Sequence, residues 1–418
     1  MRIRTKLAAA ALGTLLSVPA LAAQDAVLEW NAIMQATVKP QNPFTQGRFA
    51  AITQLAVFEA VNSITGDYDP YVGTIPAPRA ASPDAAAVAA AHGVLKYYFP
   101  ANAATLDAAR ASSLAALRDG RAKQEGIAVG EAAAAAMIAL RTRDGSEPAE
   151  FYVPPSTAVG QWQPTPSCPA AGGILLQWRS LRPFGVESTD QFRLGPPPAI
   201  TSKEYTKSYN EVLRVGGVDS LQRPQDRADV AQFYAAVPAV PVWNKVAAQV
   251  AAAKGDSLSQ NARAFALLNI AISDALSSVM DTKYHYNFWR PETAIRAGET
   301  DGNPLTRGDA SFVPFVLTPC FPSYASAHAS AAYAALEVLE RLYGPKNHHI
   351  MLTTPTLPAV ILQYRAFKQI TDDIDDARVY GGIHYRFDQE GGAKLGRQVG
   401  VYVCRHTLQR QHGGRDCR

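Results

Sequence analysis

Apolar residues recur at three- and four-residue intervals along most of this chain, which is the spacing of one face of an α-helix. Several of these segments are also rich in alanine, the residue with the highest helix propensity. The pattern predicts four helices before residue 146 and seven after residue 200, and no run alternates apolar and polar residues as a half-buried strand does. The predicted helices are 48–64, 83–99, 102–118, 122–143, 202–213, 227–236, 240–253, 257–284, 326–342, 355–374 and 388–409.

The helical period is lost between residues 146 and 200, where prolines interrupt the chain at short intervals. Such a run is typical of a long irregular connection, and it either covers a site entrance or separates two helical halves. We therefore expect an all-α fold of two packed bundles. The first bundle would occupy residues 24–145, the connection 146–200 and the second bundle 201–418.

The N-terminus has the pattern of a secretory signal peptide over residues 1–23. Three basic residues open the chain, an apolar run follows over 7–18, and Ala20-Leu21-Ala22 has the small-x-small form of a cleavage site. The alternative is a single membrane anchor, for which the apolar run is short of the roughly 20 residues that a span needs. We expect a protein exported to the periplasm or secreted.

Neither the charge of the chain nor its hydropathy after the signal-like segment indicates a nucleic-acid partner or a membrane span. The formal net charge of +4 falls to about +1 without the three basic residues of the signal, and there is no long Lys/Arg run, so we expect no nucleic-acid partner. No later stretch looks apolar for long enough to span a bilayer. We therefore expect a mature chain without a transmembrane span.

Four cysteines permit two disulfides in an exported chain, in more than one pairing. They are Cys168, Cys320, Cys404 and Cys417. The short spacing favours Cys404–Cys417. Metal binding is the poorer account of these cysteines, because no Cys-x-x-Cys occurs.

Lys283 and Arg290 open the part of the chain that carries candidate chemistry. They are two helical turns apart, so they project from one face if helical geometry persists to Trp289. Two cations on one face repel each other unless an anion lies between them. The alternative is a pair of solvated surface charges, but the segment 284–289 around them is aromatic and should be buried, and a buried cation needs a counter-charge.

A second candidate segment, Ser326-Ala327-His328, lies just before an alanine-rich predicted helix. The hydroxyl of Ser326 and the nearby backbone N–H groups would lie at a helix N-terminus, which is a prepared anion site. Ser326 as a plain N-cap is the alternative, and it is compatible with anion binding. His328 taken alone would be a structural histidine.

The third candidate segment contains Arg378, His384 and Asp388. If a helix begins near Ile383, Asp388 lies one turn beyond His384 and accepts a hydrogen bond from one imidazole nitrogen. That bond would fix the tautomer and make the other nitrogen the better nucleophile or ligand. The alternative is an ordinary surface His–Asp pair. Together the three segments suit the capture of a tetrahedral oxyanion.

The three segments resemble, in order and spacing, the three-part motif of vanadium-dependent haloperoxidases and type 2 phosphatidic acid phosphatases. In this chain the three parts read Lys-x6-Arg-Pro, Ser-x-His and Arg-x5-His-x3-Asp. The motifs span residues 283–388. The resemblance implies a helical bundle of the haloperoxidase and acid phosphatase type, doubled in the fungal chloroperoxidase type.

The resemblance also implies which residues hold the oxyanion. They are Lys283, Arg290, Arg378, the hydroxyl of Ser326 and the backbone N–H of Ala327. Ala327 stands where the family usually has glycine, so the loop must take a conformation that a Cβ permits. Ala377 stands where many members have serine.

The two histidines receive separate roles from the resemblance. His384 is implied as the axial vanadium ligand of a peroxidase or the phosphorylated nucleophile of a phosphatase, with Asp388 orienting it. His328 is implied as the acid/base. Lys283 would polarise bound peroxide. His285 and Arg386 match no motif position and are assigned structural roles.

Vanadate and phosphate have the same shape, so these residues alone do not separate the two activities. The segment 288–291 resembles the haloperoxidase branch, and Phe321 lies seven residues before His328, where relatives line the halide side. We therefore expect a vanadium-dependent haloperoxidase that binds vanadate and acts on hydrogen peroxide and halide. The alternatives are an exported acid phosphatase acting on a phosphate ester without a cofactor, and a non-catalytic oxyanion-binding protein, which the two histidines disfavour.

Overall fold

The computed structural model describes residues 25–411. The predicted signal peptide and Cys417 lie outside the described residues. Five helices form the N-terminal part, and they are α1 Ala26–Val38, α2 Pro43–Thr65, α3 Pro83–Tyr98, α4 Ala103–Ala115 and α5 Arg121–Arg141. The C-terminal helices are α6 Lys203–Val215, α7 Gln225–Ala236, α8 Ala239–Lys254, α9 Leu258–Tyr286, α10 Pro291–Arg296, α11 Ala327–Tyr343, α12 Phe367–Tyr380 and α13 Arg386–His406. The predicted helical-bundle fold is confirmed.

Close helix contacts in both halves depend on glycine. In the N-terminal half α3 packs on α5 and α2, and a Cβ at Gly130 of α5 would lie 2.3 Å from the carbonyl oxygen of Ala86 in α3. In the C-terminal half α11 packs on α13, and a Cβ at Gly396 would lie 2.2 Å from the carbonyl oxygen of Ser330. Contacts this short leave room only for a hydrogen atom, so glycine sets the spacing of both helix pairs.

The long helix α9 joins the two halves. It begins at a capping box made by Ser257 and Gln260, and it packs against α2 on one side and α11 and α13 on the other. It is long and apolar enough to cross a membrane, contrary to our expectation that no later stretch would be, but its apolar 18-residue window is 100% buried. A helix that is apolar all round is a core helix when protein surrounds it.

A two-stranded antiparallel sheet was not predicted. Strands β1 Lys346–Leu352 and β2 Leu362–Ala366 pair with each other, so the predicted helix 355–374 is wrong over its first half, and α12 begins only at Phe367. Burial alternates along β1, with Ile350 and Leu352 buried. The alternation is masked in the sequence because His348, which is also buried, fills an inward position.

The proline-rich connection lies over the C-terminal bundle and is fixed to it at two places. The carboxylate of Asp274 in α9 accepts hydrogen bonds from the backbone N–H groups of Phe184, Gly185 and Val186 at 2.8, 2.6 and 3.0 Å. A disulfide joins Cys168 to Cys320. This bridge leaves Cys404 and Cys417 as the other two cysteines, and their favoured pairing stays a prediction.

Candidate active site

Lys283 lies in the last turn of α9 and is fully buried. Its Nζ donates hydrogen bonds to the carbonyl oxygens of Pro322 and Ser323 at 2.8 and 2.7 Å, and it lies 5.1 Å from the ring centre of Phe321. Burial and then the neighbouring charge of Arg290 hold the pKa of Lys283 well below its usual value. An anion beside this ammonium group would oppose both effects and raise the pKa of Lys283.

Arg290 is not on the same helix as Lys283, so the predicted shared helical face is wrong. The backbone turns at Asn287, whose φ is +50°, and Arg290 is the N-cap residue of the short helix α10. Its Nε donates to the carbonyl of Phe321 at 2.9 Å, and its Nη1 donates to the carbonyl of Ile383 at 2.9 Å. The two cations therefore meet through the fold rather than through helical periodicity.

One short stretch of backbone holds both cations. Three successive carbonyls, those of Phe321, Pro322 and Ser323, accept the hydrogen bonds from Arg290 and Lys283. Burial lowers the pKa of Arg290 to about 9, so it stays charged at neutral pH. Its Nη2 is buried and has no hydrogen-bond partner within residues 25–411.

The serine-histidine segment begins α11. Ser326 is its N-cap, with Oγ accepting from the N–H of Ala329 at 3.3 Å. Ala327 is the first helical residue and has no positive φ, so its Cβ is accommodated in place of the family's glycine. His328 follows within the first turn. Burial, and then the charges of Arg378 and two further cations, hold its pKa well below the usual histidine value, so the imidazole is neutral at neutral pH.

His384 and Asp388 do pair, although the helix starts later than we expected. Helix α13 begins at Arg386, and His384 precedes it in the loop. Its Nδ1 lies 2.7 Å from Oδ2 of Asp388, which also accepts from the N–H of Tyr385 at 3.2 Å. His384 is 3% exposed and Asp388 is fully buried, so this is no surface pair.

The hydrogen bonds assign the tautomer of His384. Because Asp388 accepts at Nδ1, that nitrogen carries the hydrogen, and Nε2 presents a lone pair. Arg290 Nη1 donates a hydrogen bond to this Nε2 at 3.0 Å, which an oxyanion held on Nε2 would replace. Burial raises the pKa of Asp388 to about 6, against the lowering effect of the Ser323 hydrogen bond, and burial followed by nearby cations lowers that of His384. At neutral pH the pair is a carboxylate and a neutral imidazole.

Arg378 comes from the last turn of α12 and is 4% exposed. Its Nη1 donates to the carbonyl of Tyr234 at 3.3 Å, and its Nε is buried without a partner within the described part of the chain. Burial lowers the pKa of Arg378 to about 10. The guanidinium is therefore a charged donor at neutral pH with unused hydrogen-bonding capacity.

A cavity of about 180 Å³ brings several of these residues together. Its polar wall contains Ala327, His328, Arg378 and His384, and its apolar wall is formed by Phe44, Ile174, Leu175, Ala239, Leu276, Pro319 and Phe321. Lys283, Arg290 and Ser326 do not line this cavity. A larger surface cavity of about 610 Å³ adjoins it, since both are lined by Asn42 and Leu175. The proline-rich connection, which contributes Ile174 and Leu175, thus covers the site.

The residues present fit a tetrahedral oxyanion. Two buried guanidinium groups, those of Arg290 and Arg378, and the buried amine of Lys283 outnumber the one buried carboxylate of Asp388. Buried charges are costly unless they are paired, and two guanidinium nitrogens here have no hydrogen-bond partner among residues 25–411. A vanadate or phosphate supplies both negative charge and acceptor oxygens.

Comparison with known proteins agrees with this geometry. Residues 263–413 match the family model for the VCPO second helical-bundle domain. The vanadium chloroperoxidase of Curvularia inaequalis is 27% identical over 278 residues, covering 50% of this chain and 45% of that one. The crystal structure of the first bacterial vanadium-dependent iodoperoxidase superposes with a TM-score of 0.76 and 26% identity, covering 92% of this chain and 96% of that chain. The chain belongs to the vanadium haloperoxidase and type 2 phosphatidic acid phosphatase superfamily.

Other solved members of this superfamily share the fold at lower identity. An apo bacterial vanadium-dependent chloroperoxidase has a TM-score of 0.72 at 16% identity, covering 87% of this chain and 93% of that chain. The alignment with the curated fungal relative spans less than half of that relative's length. These likenesses show the fold.

Sequence reasoning missed Ser323. Its Oγ donates to Oδ2 of Asp388 at 2.6 Å, so it contacts the same carboxylate oxygen as His384. The superfamily motif does not include this position, and a serine in a Pro-Ser-Tyr turn carries no signal for such a contact. Arg386, by contrast, has the predicted structural role, because it pairs with Glu211 and Asp376.

Proposed function

We propose that this protein is a vanadium-dependent haloperoxidase that oxidises halide with hydrogen peroxide. The observation that carries the proposal is the neutral His384 Nε2 beside buried guanidinium groups with unused donors. This arrangement needs an oxyanion to balance it. The relatives described as vanadium chloroperoxidase and vanadium-dependent iodoperoxidase support vanadate as that oxyanion.

In this proposal His384 holds vanadate through Nε2, and Asp388 keeps the hydrogen on Nδ1. Lys283, Arg290 and Arg378 bind the oxyanion oxygens, with Ser326 and the N–H of Ala327 at the start of α11 as further donors. When bound, vanadate supplies a Lewis acid that activates hydrogen peroxide towards halide, with hypohalous acid as the product.

The other residues transfer protons, donate hydrogen bonds and limit the access of water. His328 is neutral in the free protein, so it is able to accept a proton and later return it. Lys283, held by two carbonyls, has one N–H left to donate towards the anion. The apolar wall around Phe44 and Phe321 limits water at the reacting oxygens.

The site of action is also a proposal. We propose that the protein is exported, as the signal-like pattern of residues 1–23 predicts. The Cys168–Cys320 disulfide supports this proposal, since such bridges persist in oxidising compartments.

The test is a paired assay of the purified mature protein. Oxidation of iodide, bromide and chloride is measured with peroxide and vanadate, and hydrolysis of a phosphate monoester is measured without vanadate. We expect vanadate-dependent halide oxidation that phosphate inhibits competitively, because the two anions share one site. Ester hydrolysis without halide oxidation would identify a phosphatase, and neither activity would indicate a non-catalytic oxyanion-binding protein.

A further inference from the structure

Ser323 connects parts of the site that come from different elements. It is fully buried, and its N–H donates to the carbonyl of Phe288 at 2.8 Å. Its carbonyl accepts from Nζ of Lys283 at 2.7 Å, and its hydroxyl donates to Oδ2 of Asp388 at 2.6 Å. One residue therefore contacts the end of α9, the loop before α10 and the first turn of α13.

The side chain of Ser323 makes its short contact with Asp388, and its Oγ also lies 3.4 Å from Nδ1 of His384. Oδ2 of Asp388 accepts from Ser323, His384 and the N–H of Tyr385, whereas Oδ1 is buried with no partner among residues 25–411. Hydrogen bonds to a carboxylate are stronger than neutral ones. The serine hydroxyl is thus one of three donors that hold the carboxylate with Oδ2 towards the imidazole.

We infer that Ser323 is a positioning residue, whose hydroxyl fixes the Asp388 carboxylate and through it the orientation of the His384 imidazole towards the oxyanion. This inference rests on the proposed function, because it takes His384 as the group that meets the oxyanion. Partners behind a ligating histidine fix its ring orientation, and their loss typically costs about 10–100-fold in affinity or activity. The short 2.6 Å hydrogen bond of Ser323 is to the carboxylate behind the imidazole, whereas its direct contact with Nδ1 of His384 is long at 3.4 Å.

A purely structural serine would also be buried and hydrogen-bonded, so the variants must separate the two roles. Ser323→Ala removes the hydroxyl and keeps the backbone contacts, and Ser323→Thr keeps a hydroxyl. Ser277→Ala is the matched control, because Ser277 is fully buried in α9 and its hydroxyl donates to the carbonyl of Asp274 at 3.0 Å, away from Asp388 and His384. Thermal melts establish that each variant is folded.

The measurement is the affinity of the metal-free full-length mature protein for inorganic phosphate, by titration calorimetry. We expect Ser323→Ala to bind phosphate about 10-fold more weakly or worse, and Ser323→Thr and Ser277→Ala to bind as the wild type does. The vanadium NMR signal of bound orthovanadate should shift in Ser323→Ala and not in Ser277→Ala. Unchanged phosphate affinity in folded Ser323→Ala would overturn the inference.

A double-mutant cycle tests the route through the carboxylate. Once Asp388→Asn has removed the charged acceptor, Ser323→Ala should cost little further affinity. An equal loss in both backgrounds would mean that Ser323 does not act through Asp388, and this outcome decides the question even where Ser323→Thr does not fold. Failure of the wild type to bind phosphate or vanadate would instead overturn the proposed function, and this inference with it.

Discussion

Arg378 offers a test in which stability and binding should change in opposite directions. The guanidinium is buried, its contact to the Tyr234 carbonyl is long at 3.3 Å, and its Nε has no partner within the described residues. Arg378→Met replaces this cation by an unbranched apolar side chain. We expect the variant to bind phosphate more weakly and, without phosphate, to be at least as stable as the wild type.

The expected changes in phosphate affinity and in stability follow from the incomplete hydrogen bonding of the Arg378 guanidinium. A hydrogen bond to a charged group contributes about 1.5–3 kcal/mol, so losing the one from Nε should weaken phosphate binding about 10- to 150-fold. Replacing buried ionic groups by packed apolar side chains stabilises proteins by about 1–4 kcal/mol in known cases. At a phosphate concentration of 100 times its dissociation constant, the free energy of unfolding of the wild type should rise by about 2.7 kcal/mol. At the same phosphate concentration, that of the variant should rise much less.

The assay combines phosphate calorimetry with denaturant unfolding in the presence and absence of phosphate. The control is Arg141→Met, since Arg141 is also fully buried but pairs with Asp144 at 3.1 Å and donates to the carbonyl of Pro183 at 3.1 Å. That variant should lose stability and keep its phosphate affinity. If Arg378→Met instead lost stability without phosphate and bound phosphate normally, Arg378 would be a structural residue and our account of the charge imbalance would be wrong.

Three further predictions concern the histidines and the disulfide. His384→Ala should abolish halide oxidation and ester hydrolysis alike, whereas His328→Ala should lower turnover about 10²–10⁴-fold and spare vanadate binding; equal loss of binding would contradict these roles. Burial and cations such as Arg378 depress the pKa of His328, so the negative charge of bound sulfate should raise that pKa. Sulfate binding should therefore take up protons, and the affinity for sulfate should increase as pH falls. Calorimetry in buffers of different ionisation enthalpy measures this uptake, and His328→Gln should take up fewer protons than the wild type. Joint replacement of Cys168 and Cys320 by serine should weaken phosphate binding, because the bridge adjoins the carbonyls that hold the cations; unchanged affinity would exclude that role.

Helix positions were predictable from the sequence because most helices bury one face against a continuous core. The predicted helices 257–284 and 326–342 differ from α9 and α11 by one or two residues at each end. The hairpin was not predictable, because a short strand with a buried histidine has no clear period. Helix α1 was missed as well, although Asp25 caps it with hydrogen bonds to the N–H groups of Val27 and Leu28.

The residue types of the site were predictable, but our local reasons for their convergence were partly wrong. We expected helical spacing to align Lys283 with Arg290 and His384 with Asp388. In the structure each pair spans a helix boundary instead. Sequence spacing alone does not distinguish two positions on one helix from two positions across a turn, and the contacts of Ser323 depend on tertiary packing.

The helix boundaries themselves explain why this site suits an anion. Lys283 and Arg378 lie in the last turns of α9 and α12, Arg290 and Ser326 cap α10 and α11, and His384 lies just before α13. The starts of α11 and α13 present unpaired N–H groups and a partial positive charge, whereas the partial negative charge at the ends of α9 and α12 stabilises the side chains of Lys283 and Arg378. A short spacing between two motif residues is then required because the intervening turn must bring two helix ends close together. For the same reason, insertions within the motifs should be less tolerated than insertions in the long proline-rich connection. An extra residue at a helix boundary displaces a charged group of the site. An extra residue in the connection only lengthens a segment that the Cys168–Cys320 bridge and Asp274 already hold against the C-terminal bundle.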